Sequence, residues 1–127
     1  VNGANTRTFK LAWSDGSPLT VIGTDGGLLD RPLEREYLML APAERVDLWV
    51  DFGRWAPGAQ PVLRSLEFDG GMTMGGSRLP DGSQFDVLKF AVLKGDRSAA
   101  REPPQRLAHL PGAQPQSAIN AGLPKVF

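Results

Sequence analysis

Few residues in this 127-residue chain are of a type that does chemistry. There is one histidine, His109, in the context Leu107-Ala108-His109-Leu110-Pro111, and no cysteine. Zero cysteine removes disulfides, thiolate catalysis and thiolate ligation of metals together. Met72-Thr73-Met74, in a glycine-rich stretch, offers two soft thioethers able to receive a soft metal ion. With no histidine, cysteine or third methionine beside them they make a poor site, and packing in a loop or interface is the better use of two flexible side chains. His109 reads as an exposed or hydrogen-bonded residue of a proline-rich linker, in preference to a ligand lent to a neighbour.

Carboxylates come in two spaced pairs, Glu34 with Glu36 and Asp47 with Asp51, each able to share one face of a strand. Such pairs do acid–base work when their surroundings push the two pKa values apart. Here Arg35 and Arg45 are interleaved with them, and exposed cross-strand ion pairs fit better. Asp25, before Gly26-Gly27, is expected to cap a turn through its side chain, and Asp81-Gly82 to form a hairpin turn. Serines are present, but no Gly-x-Ser-x-Gly elbow occurs, so nucleophilic catalysis has no constellation. The paired glycines at 26–27, 70–71 and 75–76 fit neither the dinucleotide fingerprint nor a phosphate loop, and no helical pattern comes after the latter two pairs. Trp13, Trp49 and Trp55 have faces that stack sugars or arenes, yet core and interface packing is the commoner use. Trp49 is the interface candidate, because the rest of its strand face is polar.

The elements that would position these residues are short strands. Hydrophobic residues make up 41%, and 14 basic residues balance 14 acidic ones with no basic stripe. Nucleic acid and anionic membrane surfaces are therefore not indicated. The apolar runs fall far short of the ~20 residues of a transmembrane helix. Fifteen glycines and eleven prolines punctuate alternating apolar residues, the pattern of an all-β domain with tight turns. Strands are expected at 8–13, 18–24, 33–40, 45–52, 60–68 and 84–94, although Glu34, Arg35 and Glu36 could also start a helix. In the fourth of these, Val46, Leu48, Val50 and Phe52 face one side. The near-continuous apolar content of the last suggests burial on both faces. A long glycine-rich loop covers 69–83. Beyond Gly95 prolines dominate, so 1–94 reads as the domain and 95–127 as an extended linker or strap.

Three motifs in order carry a resemblance. Val1-Asn2-Gly3-Ala4-Asn5-Thr6-Arg7 is similar to the end of a Leu-Asn-Gly-x-Asn-x-Arg strand. Asp15-Gly16-Ser17-Pro18 leads through a strand to Asp25-Gly26-Gly27-Leu28-Leu29. Leu40-Ala-Pro-Ala-Glu-Arg-Val-Asp-Leu-Trp-Val-Asp-Phe52 completes the set. Over about residues 1–94 the chain resembles the second, middle cupredoxin-like domain of three-domain multicopper oxidases, the laccase-like enzymes. Ala43 stands where the family has glycine, a departure that bears on whether the backbone there takes φ > 0. Asn120 to Phe127 is similar to the lead-in to the third domain.

The resemblance implies a Greek-key β-sandwich or barrel whose first strands precede Val1. It implies partners in the first and third cupredoxin domains of the same parent chain, and copper held by those domains, with none in this one. The parent would oxidise phenols, metal ions or similar reductants and reduce dioxygen to water, in the periplasm or outside the cell. Met72, Met74 and Trp49 are the candidate substrate or interdomain contacts. Two other readings stay open: a domain of a copper-less oxidase-like scaffold of the cell envelope, and a free-standing β-sandwich that binds sugar or protein through its tryptophans.

Overall fold

Alternation of apolar and polar residues gives each strand one face to bury, and two sheets closing on each other bury both. In a computed structural model, residues 1–70, 79–95 and 102–109 are described; they form seven strands and one 3-10 turn. The strands are β1 (Phe9–Trp13), β2 (Leu19–Thr24), β3 (Gly27–Arg35), β4 (Leu38–Leu40), β5 (Val46–Trp49), β6 (Val62–Ser65) and β7 (Phe85–Lys89). All pairings are antiparallel. One sheet runs β4-β1-β6-β7 and the other β3-β2-β5. Neighbours out of chain order, such as β4-β1-β6, are the crossovers of a Greek-key arrangement. This is the expected all-β architecture of two antiparallel sheets.

The core lies between the sheets. Leu11, Trp13 and Leu63 from one sheet meet Leu19 from the other, and Leu38, Leu48, Val50, Trp55 and Phe90 pack against them. Leu19 is 1% exposed, so its full side-chain burial contributes about 2 kcal/mol. Ser65 is the buried polar exception on β6, and its Oγ accepts the Lys10 amide at 3.0 Å.

Three strand expectations need correction. The strand read across 33–40 is two strands in different sheets: Leu33 pairs with Val21, whereas Leu38 pairs with Leu11. Three polar residues, Glu34 to Glu36, are followed by Tyr37, Leu38, Met39 and Leu40, with no glycine or proline to mark where the backbone changes sheet. The strand expected over 45–52 ends at Trp49, because Asp51 caps a 3-10 turn over Phe52–Arg54 with its Oδ1 on the Gly53 amide. Phe52 therefore joins an aromatic cluster and not a strand face. Finally, β7 is not buried on both faces. It is an edge strand with Val87 37% and Leu88 50% exposed. Past Gly95, the described segment 102–109 lies along β3, where the Leu107 amide donates to the Asp30 carbonyl.

Candidate functional site

Met72 and Met74 lie outside the described residues. Trp49 is half-buried on β5, opposite Thr20 of β2. His109 is exposed, and its Nδ1 lies 2.6 Å from the guanidinium of Arg106, which also approaches Asp30 at 3.5 Å. The carboxylate pairs separate as well. Glu34 lies in β3 and Glu36 beyond it. Asp47 lies opposite Gly23, while Asp51 caps the 3-10 turn. Arg45 pairs with Asp25, at 2.5 Å, and not with Asp47 or Asp51, and a further cross-strand pair joins Arg64 with Asp86, at 2.8 Å. Among the described residues, no three of His, Cys, Asp and Glu are grouped as a metal site would require.

What the structure does gather is the motifs, into three latches. The first is Asn2. It is completely buried, and its Nδ2 donates to the Arg7 and Leu40 carbonyls, both at 2.8 Å, while its Oδ1 accepts the Ala4 amide at 3.0 Å. Its backbone amide donates to Glu44 O, and its carbonyl accepts the Ala43 amide. One side chain and its backbone thus tie the opening segment to residues 40–44. Arg7 extends the tie, donating to the carbonyls of Leu79 and Pro80.

The 40–44 segment is itself a turn. Glu44 N donates to Ala41 O, Pro42 fixes the second corner, and the Glu44 carboxylate returns to the Ala41 amide at 2.6 Å. Ala43 has φ +67°, and no other non-glycine residue among those described has positive φ. A turn with Pro at its second position and φ > 0 at its third favours glycine there. Ala43 therefore keeps the conformation that glycine would adopt without strain, at a cost of ~1–2 kcal/mol. Ala43→Gly relieves that strain but adds freedom to the unfolded chain. We expect a net gain of ~0.5–1 kcal/mol, read as a higher denaturant midpoint at unchanged slope. A lower midpoint would contradict the left-handed geometry.

The second latch joins two motifs. Asp25 does not cap its own turn: its Oδ1 accepts Arg45 Nε at 2.5 Å, and its Oδ2 accepts the Arg45 amide at 3.2 Å. Register explains the meeting, since Thr24 pairs with Val46 and brings positions 25 and 45 side by side. Asp25 and Gly26 form a two-residue turn closed by Thr24 and Gly27, and Gly27 supplies the positive φ of 99°.

The third latch holds the 13–17 turn against the aromatic cluster. Asp15 accepts from the Ser17 amide and hydroxyl and from Trp55 Nε1 at 2.8 Å. Trp13 and Trp55 meet edge to face at 4.9 Å, Phe52 and Phe90 lie 5.0 Å apart, and the Arg54 guanidinium sits 3.9 Å from the Trp55 centroid. Trp55 packs in this cluster, and the nearby Asp15 is the partner its indole N–H requires.

Among the described residues, two carboxyls are shifted. Partial burial pushes Asp15 up, but hydrogen bonds from Ser17 and Trp55, with the charge of Arg54, outweigh it and hold the group below its ordinary value. The Arg45 guanidinium and amide bonds lower Asp25 in the same way. Both groups are thus more readily ionised folded than unfolded. Their contribution is present above the unfolded carboxylate range and is lost as pH falls through their lowered folded values. The unfolding midpoint should hold between neutral and weakly acidic pH and fall below about pH 4. Arg45→Met should flatten that acid limb; an unchanged limb would remove Asp25 from the account.

No family model matches the chain. The laccase of Bacillus subtilis (strain 168) is 33% identical to it over 116 residues, which is 90% of this chain and 21% of that protein. The cell division protein FtsP of Xenorhabdus nematophila is 44% identical over 54 residues, 42% of this chain and 11% of that protein. The 2F4 variant of the McoA multicopper oxidase from the hyperthermophile Aquifex aeolicus superposes with a TM-score of 0.76 at 34% identity, over 93% of this chain and 25% of that one. The chain spans about a fifth or less of the length of these curated relatives.

Proposed function

We propose, on the premise that this chain is a cupredoxin-like domain homologous to part of the laccases and multicopper oxidases, that it is the middle domain of such an enzyme and carries no copper itself. Its task is to hold the first and third domains at a fixed separation. The parent then oxidises phenols, metal ions or similar reductants and reduces dioxygen to water, in the periplasm or outside the cell. Copper sits in the flanking domains.

The observation that carries this reading is the donor set. A blue-copper site takes two histidines, a cysteine thiolate and a weak axial ligand. This chain has one histidine and no cysteine, and Arg106 stands against Nδ1 of that histidine. The residues do not fit the metal, so no redox step runs through them. The motif side chains act instead on turns and segment ends, as a spacer requires. Leu28 and Leu88, about half exposed on β3 and β7, suit contact with neighbouring domains.

Metal analysis and visible absorption of the purified chain test the reading. We expect no stoichiometric copper and no band near ~600 nm. Copper held tightly at one ion per chain would overturn it. The likeness to FtsP favours a second reading, a domain of a copper-less scaffold with the oxidase shape. The parent polypeptide decides between them: His-x-His pairs, a His-Cys-His segment and bound copper mark the enzyme, and their absence marks the scaffold.

A further inference from the structure

We propose that Asn2-Gly3 is a latent deamidation site, held unreactive by the fold, whose modification disables the fold. Asn-Gly is the dipeptide in which the backbone nitrogen after the asparagine attacks the side-chain amide with least hindrance, because glycine brings no Cβ. The Gly3 nitrogen bonds to Cγ of Asn2, the Cγ–Nδ2 bond breaks, and ammonia leaves with the displaced proton. Water then opens the five-membered imide at either carbonyl, giving an aspartyl or an isoaspartyl residue. The reaction needs only water.

In the folded chain that attack is blocked three times over. Asn2 has no solvent exposure, so the water needed to open the imide is kept out. Its Nδ2, the leaving group, is held between the Arg7 and Leu40 carbonyls, and its Oδ1 is held by the Ala4 amide. Turning Cγ toward the Gly3 nitrogen breaks all three bonds. Freeing the segment also breaks the backbone bonds from Asn2 to Glu44 and from Ala43 to Asn2. Reaction therefore proceeds through an opened state, at a rate scaled by that state's population.

The product reverses the chemistry of the latch. Both N–H donors are gone, and an oxygen faces the Leu40 carbonyl, where the bond was buried, and the Arg7 carbonyl, where it was part-buried. The isoaspartyl form also lengthens the backbone by one carbon between the bonds that anchor it. Each opening thus risks a covalent change after which the segment no longer reseats.

Gly3 supplies the control. A Cβ built there meets nothing within 4 Å, and its φ lies outside the left-handed region. Gly3→Ala leaves the latch intact while hindering the attack. The chain, its Gly3→Ala variant and the synthetic peptide Val-Asn-Gly-Ala-Asn are aged together in mildly alkaline buffer, with and without urea. Peptide mapping tracks the gain of about one mass unit and the isoaspartyl content. We expect the native chain to react roughly tenfold or more slowly than the peptide and to approach the peptide's rate as urea opens it. The modified fraction should be unfolded, and Gly3→Ala should lose neither mass identity nor structure over the same period. Modification of the native chain at the peptide's rate, no modification in denaturing urea, or a modified chain as stable as the unmodified one would each overturn the proposal. The urea series decides the matter even if Gly3→Ala folds poorly.

Discussion

Asn2→Asp should be severely destabilising. The substitution keeps the shape of the side chain and removes both donors of Nδ2, so that a carboxylate oxygen faces the Arg7 and Leu40 carbonyls in full burial. Each orphaned acceptor costs about 1–3 kcal/mol, and the desolvated carboxylate adds to that. The sum is on the order of 4–6 kcal/mol, a large part of the ~5–15 kcal/mol that holds a domain of this size. Asn2→Ala, which leaves the same carbonyls unpaired but buries no charge, should cost ~3 kcal/mol. Urea unfolding monitored by tryptophan fluorescence gives both values. If Asn2→Asp cost no more than Asn2→Ala, the two carbonyls would not be the partners described.

Gly82→Ala should be the second severe change. Gly82 has φ +81°, and a Cβ there would collide with the Phe68 carbonyl oxygen and come within 2.8 Å of the Gly70 amide nitrogen. Both are backbone atoms with no rotamer to turn away, and the Phe68 amide already donates to Gly82 O at 3.0 Å. Two stretches of backbone are in direct contact here, which only glycine permits. We expect a loss of ~3–4 kcal/mol. Gly16→Ala isolates the conformational part, since Gly16 has φ +76° with open space around its Cα; it should cost ~1–2 kcal/mol. Equal losses at the two positions in thermal unfolding would show that no collision occurs at Gly82.

The turns and the first two strands were legible because their signals are local. Alternation marks Phe9–Trp13, Asp15-Gly16 breaks the chain before Leu19–Thr24, and Asp25-Gly26 breaks it again afterwards. The failures come where the answer depends on a distant neighbour. Asp25 reads as its own cap until the pairing of β2 with β5 brings Arg45 beside it. The apolar run at 84–94 reads as buried until the sheet order puts β7 at an edge. Ala43 was the more informative for departing from the motif: the structure retains the left-handed backbone there without the glycine. Asn2 carries no mark of burial in its own vicinity, because its partners at Leu40 and Glu44 lie far along the chain. The candidate site was read from Met72, Met74 and Trp49. Two of these lie outside the described residues, and the third, Trp49, is half-buried on β5 opposite Thr20.

The passage from β3 to β4 through Glu36 and Tyr37 alone bears on synthesis at the ribosome. The β2–β3 hairpin can close as soon as it emerges, since its turn is two residues long. Strand β1 leaves the exit tunnel before this hairpin but sits inside its sheet, and one of its ladders awaits Ser65, whose hydroxyl meets the Lys10 amide 55 positions later. With so short a tether, β4 docks on β1 at the moment β3 settles, so the nascent chain commits to both sheets together while the far side of β1 is still bare. A translational pause before β6 emerges would therefore leave that strand open to chaperones or to other chains, and rare-codon placement in this interval should govern yield.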